Sequence, residues 1–96
     1  MSLYIKCPDN PKQQIYVEEV VRILRRDYGL TSLMISTGNT RHYFLPIPKG
    51  LDPRERATIE VSLNRLAERD REIKTGIFNK ETETLRRLVE EGKIKL

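Results

Sequence analysis

A chain of 96 residues is one domain's worth of core, and at 38% apolar with no Trp it must gain burial from well-placed stripes rather than from amount. Lys and Arg outnumber Asp and Glu by 18 to 14, and the pI near 9.4 passes the screen for nucleic-acid binding, although the interleaved signs of "RLAERDREIK" also suit a solvated helix face. The single cysteine, Cys7, excludes an internal disulfide and a multi-cysteine zinc site, and no apolar run nears the ~18 residues of a membrane span.

Leu3, Ile5 and Cys7 alternate with Tyr4 and Lys6, the period of a strand buried on one face. Asn10, Pro11 and Gln13 then read as a helix start: a cap, a proline at the first position, and Gln where a capping box closes. That helix carries Val17, Val20, Val21, Leu24 and Tyr28 in one stripe, widened by Ile23, and should stop at Gly29. "LTSLMIS" and "TRHYFLPI" read as two strands around Thr37-Gly38-Asn39. With Gly38-Asn39 as a two-residue turn, Ile35 faces His42 and Leu33 faces Phe44, while Arg41, Tyr43 and Met34 share the other face. The third strand should lie between the first two, antiparallel to both, with Pro46 and Pro48 marking where pairing stops.

Asp52, Pro53 and Glu55 open a second, long charged helix expected to run from 53 to 75 and end at Gly76. A shorter third helix, capped by Asn79, carries Leu85, Leu88 and Val89 and ends at Gly92. The last segment, "KIKL" at 93–96, alternates like an edge strand. The expected class is therefore α+β in the order β-α-β-β-α-α, with a final β if 93–96 pairs. It is a single domain over 1–96: a β-α-β-β unit at 1–48 and a helical pair at 52–92. The sheet has three strands, or four with the last segment, and one helix lies on it.

Ile59, Leu63, Leu66, Asp70 and Ile73 are spaced four, three, four and three, a narrow seam that suits another helix better than a sheet face. Two arrangements use it: an internal hairpin with the third helix, or a homodimer through Ile59, Leu63, Leu66 and Ile73. Asp70 within the seam calls for a facing Arg or Lys.

Chemistry is sparse. Cys7 and His42 are the only Cys-His pair and lack an orienting group. Glu18-Glu19 and Glu90-Glu91 diverge by about 100° around their helices. No His-x-x-x-His or Cys-x-x-Cys spacing is present, and "STGNT" has neither the Lys nor the following helix of a phosphate loop. No catalytic residue, cofactor, metal or small-molecule substrate is expected. The chain reads as a small basic non-catalytic binding or regulatory module acting as a homodimer, with nucleic acid, DNA or RNA, as its partner.

The candidate contacts are Arg22, Arg25 and Arg26 at the end of the first helix, joined by Arg41 on the hairpin. The same arginines would complement the helix macrodipole, and Glu18 can pair with Arg22. His42 reads as structural and Arg41 as the better contact. The rival function is a protein-protein assembly module using the long helix at 53–75. "MSLYIKCPDN" lacks the basic and apolar regions of a signal peptide, so a cytoplasmic location is expected. Abundant Arg, Lys and Glu with only two Gln fits a thermophile-like surface.

"NKETETLRRLVEEGKIKL", residues 79–96, resembles the last helix and first wing strand of a winged helix-turn-helix, which would make that helix a recognition helix. The chain departs from that pattern at Glu72, where the turn wants a small residue, and at Thr82, where it wants an apolar one. "HYFLPIPKGLDPRERATIEVSLNRLAER" resembles a ribbon-helix-helix, with departures at its prolines and long first helix.

Overall fold

The computed structural model of the chain describes residues 1–94. Seven elements follow one another: β1 (Ser2–Pro8), α1 (Pro11–Tyr28), β2 (Leu33–Thr37), β3 (Thr40–Pro46), α2 (Pro53–Arg69), β4 (Lys74–Phe78) and α3 (Thr82–Glu90). The four strands form one antiparallel sheet in the order β2-β3-β1-β4. β3 does lie between β1 and β2. With β4 added beyond β1, the order is that of the split β-α-β, or ferredoxin-like, arrangement, followed by an extra helix.

The local signals explain most of the boundaries. The Asn10 side chain accepts a 2.9 Å bond from the Lys12 N–H, and Pro11 takes the first helical position of α1. Gly29 ends that helix at φ 69, and the N–H of Leu30 returns to the Leu24 carbonyl at 3.3 Å, the Schellman closure. Gly38 at φ 59 turns the β2–β3 hairpin while Asn39 keeps a negative φ, the pattern of a type II′ turn. Asp52 caps α2 through a 2.7 Å bond from the Arg54 N–H. Gln13 closes no capping box; its amide reaches across the fold to Asp70.

The second helix stops earlier than its charge pattern suggests. α2 ends at Arg69, Asp70 is extended at φ −148, and Lys74–Phe78 is a strand rather than a last helical turn. Two physical causes are visible. The Asp70 carboxylate accepts the Glu72 N–H at 2.9 Å, a local bond that competes with helix. Ile73, Thr75 and Ile77 then alternate with Lys74, Gly76 and Phe78, and the β-branched run pairs with β1 from Lys6↔Lys74 to Ser2↔Phe78. Gly76 thus stands inside a strand opposite Tyr4 instead of ending a helix.

The third helix begins later than expected, at Thr82, and its cap position is Glu81, not Asn79. With a strand in front of α3, the winged helix-turn-helix likeness has no first helix. The ribbon-helix-helix likeness fails because β3 is an interior strand. Lys93 and Ile94 belong to no strand, and residues 95–96 of the expected edge strand lie outside the described residues.

The two faces of the sheet are both covered. α1 and α2 pack on the face carrying Leu3, Ile5, Cys7, Tyr43 and Leu45, with Val17, Leu24, Ile59, Leu63 and Leu66 supplying the helix side. α3 covers part of the opposite face, where Leu85 and Val89 meet Tyr4 and Phe44. β1 is therefore buried on both sides, not one, and Tyr4 is only 2% exposed. No helix among the described residues is long and apolar enough to cross a membrane.

Candidate nucleic-acid interface

The register sorts the α3 side of the sheet into rows that run across all four strands. One row is Gly76, Tyr4, Phe44 and Leu33; the next, toward the β2–β3 turn, is Lys74, Lys6, His42 and Ile35. The first row is aromatic and covered. Tyr4 stacks on Phe44 with centroids 5.3 Å apart and meets Phe78 at 6.2 Å. Leu85 and Val89 close over these rings, with Ile35, Phe78 and Ile94 packed around them. Ser2 anchors the start of α3 by a 2.8 Å hydroxyl contact with Thr82 and by donating to the Lys80 carbonyl at 3.2 Å. Burial pushes the Tyr4 phenol up to about 12.

The second row carries charge. Lys6 and Lys74 are direct cross-strand partners, Lys6 half-buried and Lys74 exposed. Among the described residues neither has an ion pair. Like charges directly opposite on neighbouring strands destabilise a sheet, and among the described residues no carboxylate forms an ion pair with either lysine.

His42, on the other side of Lys6, is 6% exposed. Its Nδ1 lies 2.6 Å from the Tyr4 hydroxyl and its Nε2 2.6 Å from the Thr37 hydroxyl. Burial first, and the Lys6 charge second, lower its pKa below 6.5. A neutral imidazole with one N–H and one lone pair satisfies both hydroxyls. The faces of the hairpin are as the two-residue turn implied: Ile35 opposite His42, Leu33 opposite Phe44, and Met34 opposite Tyr43 on the α1 side.

Two of the four arginines singled out by sequence are already engaged in ion pairs. Arg41 is bound to Asp9 at 3.1 Å and Glu18 at 3.3 Å and also donates to the Tyr43 hydroxyl at 3.4 Å, so its charge is already answered. Arg26 pairs with Asp27 at 2.9 Å. Arg22 and Arg25 are exposed on α1 and make no ion pair among the described residues.

The residues of the expected subunit seam are buried in the chain's own core. Ile59, Leu63, Leu66 and Ile73 are at most 3% exposed, and within the chain they pack with the sheet and α1 rather than with α3. The seam failed as a heptad because its last member, Ile73, lies beyond the helix. Asp70 is met by the Gln13 amide at 2.9 Å and the Glu72 N–H, and by no ion-pairing cation among the described residues.

Lys6 was legible as the outward position of a strand. Lys74 was hidden by its assignment to a helix, and without β4 the pairing of the two lysines has no signal.

Cys7 is fully buried, and burial raises its thiol pKa. Its cross-strand partner is Arg41, not His42. No group of three or more His, Cys, Asp or Glu among the described residues is placed to hold a metal ion. No protein-family model matches the chain, and no curated protein is detectably similar to it in sequence.

Proposed function

We propose that this basic module binds nucleic acid through phosphate contacts at the open part of the α3 side of the sheet, with Lys6 and Lys74 as the principal contacts. The observation that carries this reading is the lysine pair across β1 and β4, which has no ion pair among the described residues. Its mutual repulsion, unfavourable in the free protein, becomes an attraction once an anion sits between or above the two ammonium groups. Lys74 and Thr37 are exposed at the two ends of this part of the sheet, with Lys6 half-buried between them.

Because Tyr4 and Phe44 are sealed under α3, the contact gives little base readout, and binding is sequence-tolerant and electrostatic. Arg22 and Arg25 offer a second, separate cationic surface on α1. The assembly reading through the long helix has lost its apolar stripe to the chain's own core.

Fluorescence anisotropy with a labelled mixed-sequence oligonucleotide tests the proposal. Neutralising two phosphates implies roughly a tenfold loss of affinity between ~50 and ~200 mM salt. Lys6→Gln with Lys74→Gln should remove most of the binding and flatten this salt dependence, whereas Arg22→Gln with Arg25→Gln should leave most of it. Equal losses from both pairs would mean diffuse charge only, and absence of binding at low salt would reject the reading.

A further inference from the structure

The sheet ends on two different edges. β4 carries Lys74, the kind of charge that guards an edge against further pairing. β2, "LMIST", has no charge and no proline, and among the described residues it pairs only with β3 and has no covering element in its register. Leu33 is 39% exposed and Met34 43%, the two exposed large apolar residues of the whole sheet apart from Met1 at its start.

The hairpin also fixes which main-chain groups remain open. With a two-residue turn, Thr37–Thr40, Ile35–His42 and Leu33–Phe44 are the pairs that exchange main-chain bonds. The N–H and C=O of Met34 and Ser36 therefore point away from the sheet. No other main-chain partner is found for them among the described residues.

We infer that β2 is a self-association edge, and that its occupant is β2 of a second copy of this chain, antiparallel across a two-fold axis at Ile35. That register uses the open groups in full. Met34 lies opposite Ser36 of the second copy and exchanges both main-chain bonds with it, and Ser36 does the same with Met34 of the copy. Ile35 meets its own counterpart in the closely spaced non-hydrogen-bonded position, and Leu33 meets Thr37.

The pairing is neutral against neutral at every position. A charged partner would find nothing on this strand to recognise, while a copy of the strand sets Ile35 against Ile35 and places uncharged Thr37 and Ser36 opposite Leu33 and Met34. The result is a continuous eight-stranded sheet in which the row Lys74, Lys6, His42, Ile35 runs on into the same row of the copy in reverse. Lys6 would then lie roughly 24 Å from Lys6 of the second copy, five strand spacings away. The interface is a short strand pair, so the dimer forms and dissociates with concentration. It holds whether or not the lysines bind nucleic acid.

Light scattering over a concentration series tests it, with Lys6→Gln plus Lys74→Gln as a control expected to keep the dimer. The parent protein should approach twice its 11.3 kDa mass by ~200 μM and fall toward the monomer on dilution. Met34→Lys places charge on the edge, and Ser36→Pro removes an outward N–H that the monomer does not use. Both should be folded monomers. A parent protein that stays monomeric, or variants that stay dimeric, would overturn the inference. Should either variant unfold, amide exchange on the parent decides: the Met34 and Ser36 N–H groups should be protected at high concentration and lose protection on dilution. Fast exchange at every concentration would sink the idea.

Discussion

His42 shows how a single titratable residue can act entirely through packing. Its imidazole joins the Tyr4 and Thr37 hydroxyls, each at 2.6 Å, and ties the central strand to the hairpin. Since burial lowers its pKa below 6.5, the unfolded chain takes up the proton first as pH falls. Protonation thus favours unfolding, and stability drops as pH falls from about 6.5 toward the folded-state pKa, by at most ~1.4 kcal/mol per pH unit. The lowered carboxylates Asp27, Asp70 and Glu83 lose their contribution only below their ordinary values of 3.8 to 4.5, so the upper window belongs to His42. Urea midpoints measured between about pH 7.5 and pH 5 should fall for the parent protein and be nearly flat for His42→Gln, which should be less stable at neutral pH. A parallel fall in the variant would assign the effect elsewhere. The structural role of His42 was legible in the sequence because no carboxylate, thiol or second His stands near it. Its two hydroxyl partners were not, as one of them is on β1.

At the scale of elements, α2 and β4 divide what reads as one helix. A charged helix with a 4-3-4-3 apolar spacing can lie on any apolar surface of matching width, and the sheet and α1 together provide one. Ile59, Leu63 and Leu66 fill it. Leu66→Ala should therefore cost about 2–5 kcal/mol in chemical denaturation without changing the protein's mass in solution. A loss of association with little loss of monomer stability would restore the seam to a subunit contact. At the start of the same helix, the Asp52 cap should be worth ~1 kcal/mol, read by Asp52→Ala. These two effects are local to different ends of α2 and should add.

In the molecule as a whole, β1 is the strand on which everything converges. It is bonded to β3 on one side and β4 on the other, and it lies under α1 and α2 on one face and α3 on the other. Cys7 on this strand is 0% exposed, with burial raising its thiol pKa. It should react with a thiol reagent only through unfolding of the whole domain, with a rate that follows global stability as urea is raised. Rapid modification in native buffer would mean that the β1–β3 end opens locally.

The sequence alone determined the elements whose causes are local. Caps at Asn10 and Asp52, the stop at Gly29 and the turn at Gly38 act on groups within a few residues, so α1, the β2–β3 hairpin and the start of α2 were all readable. The place of β3 between β1 and β2 followed from its apolar middle. The tertiary structure decided what depends on distant partners. Lys74–Phe78 is a strand because β1, at the other end of the chain, offers it an edge to pair with, and that pairing outweighs the helical charge pattern before it. Tyr4 became a core residue because α3 folds back over it. The lysine pair exists only because β4 lies beside β1, a juxtaposition no local pattern encodes, since cross-strand neighbours are set by register and not by spacing along the chain.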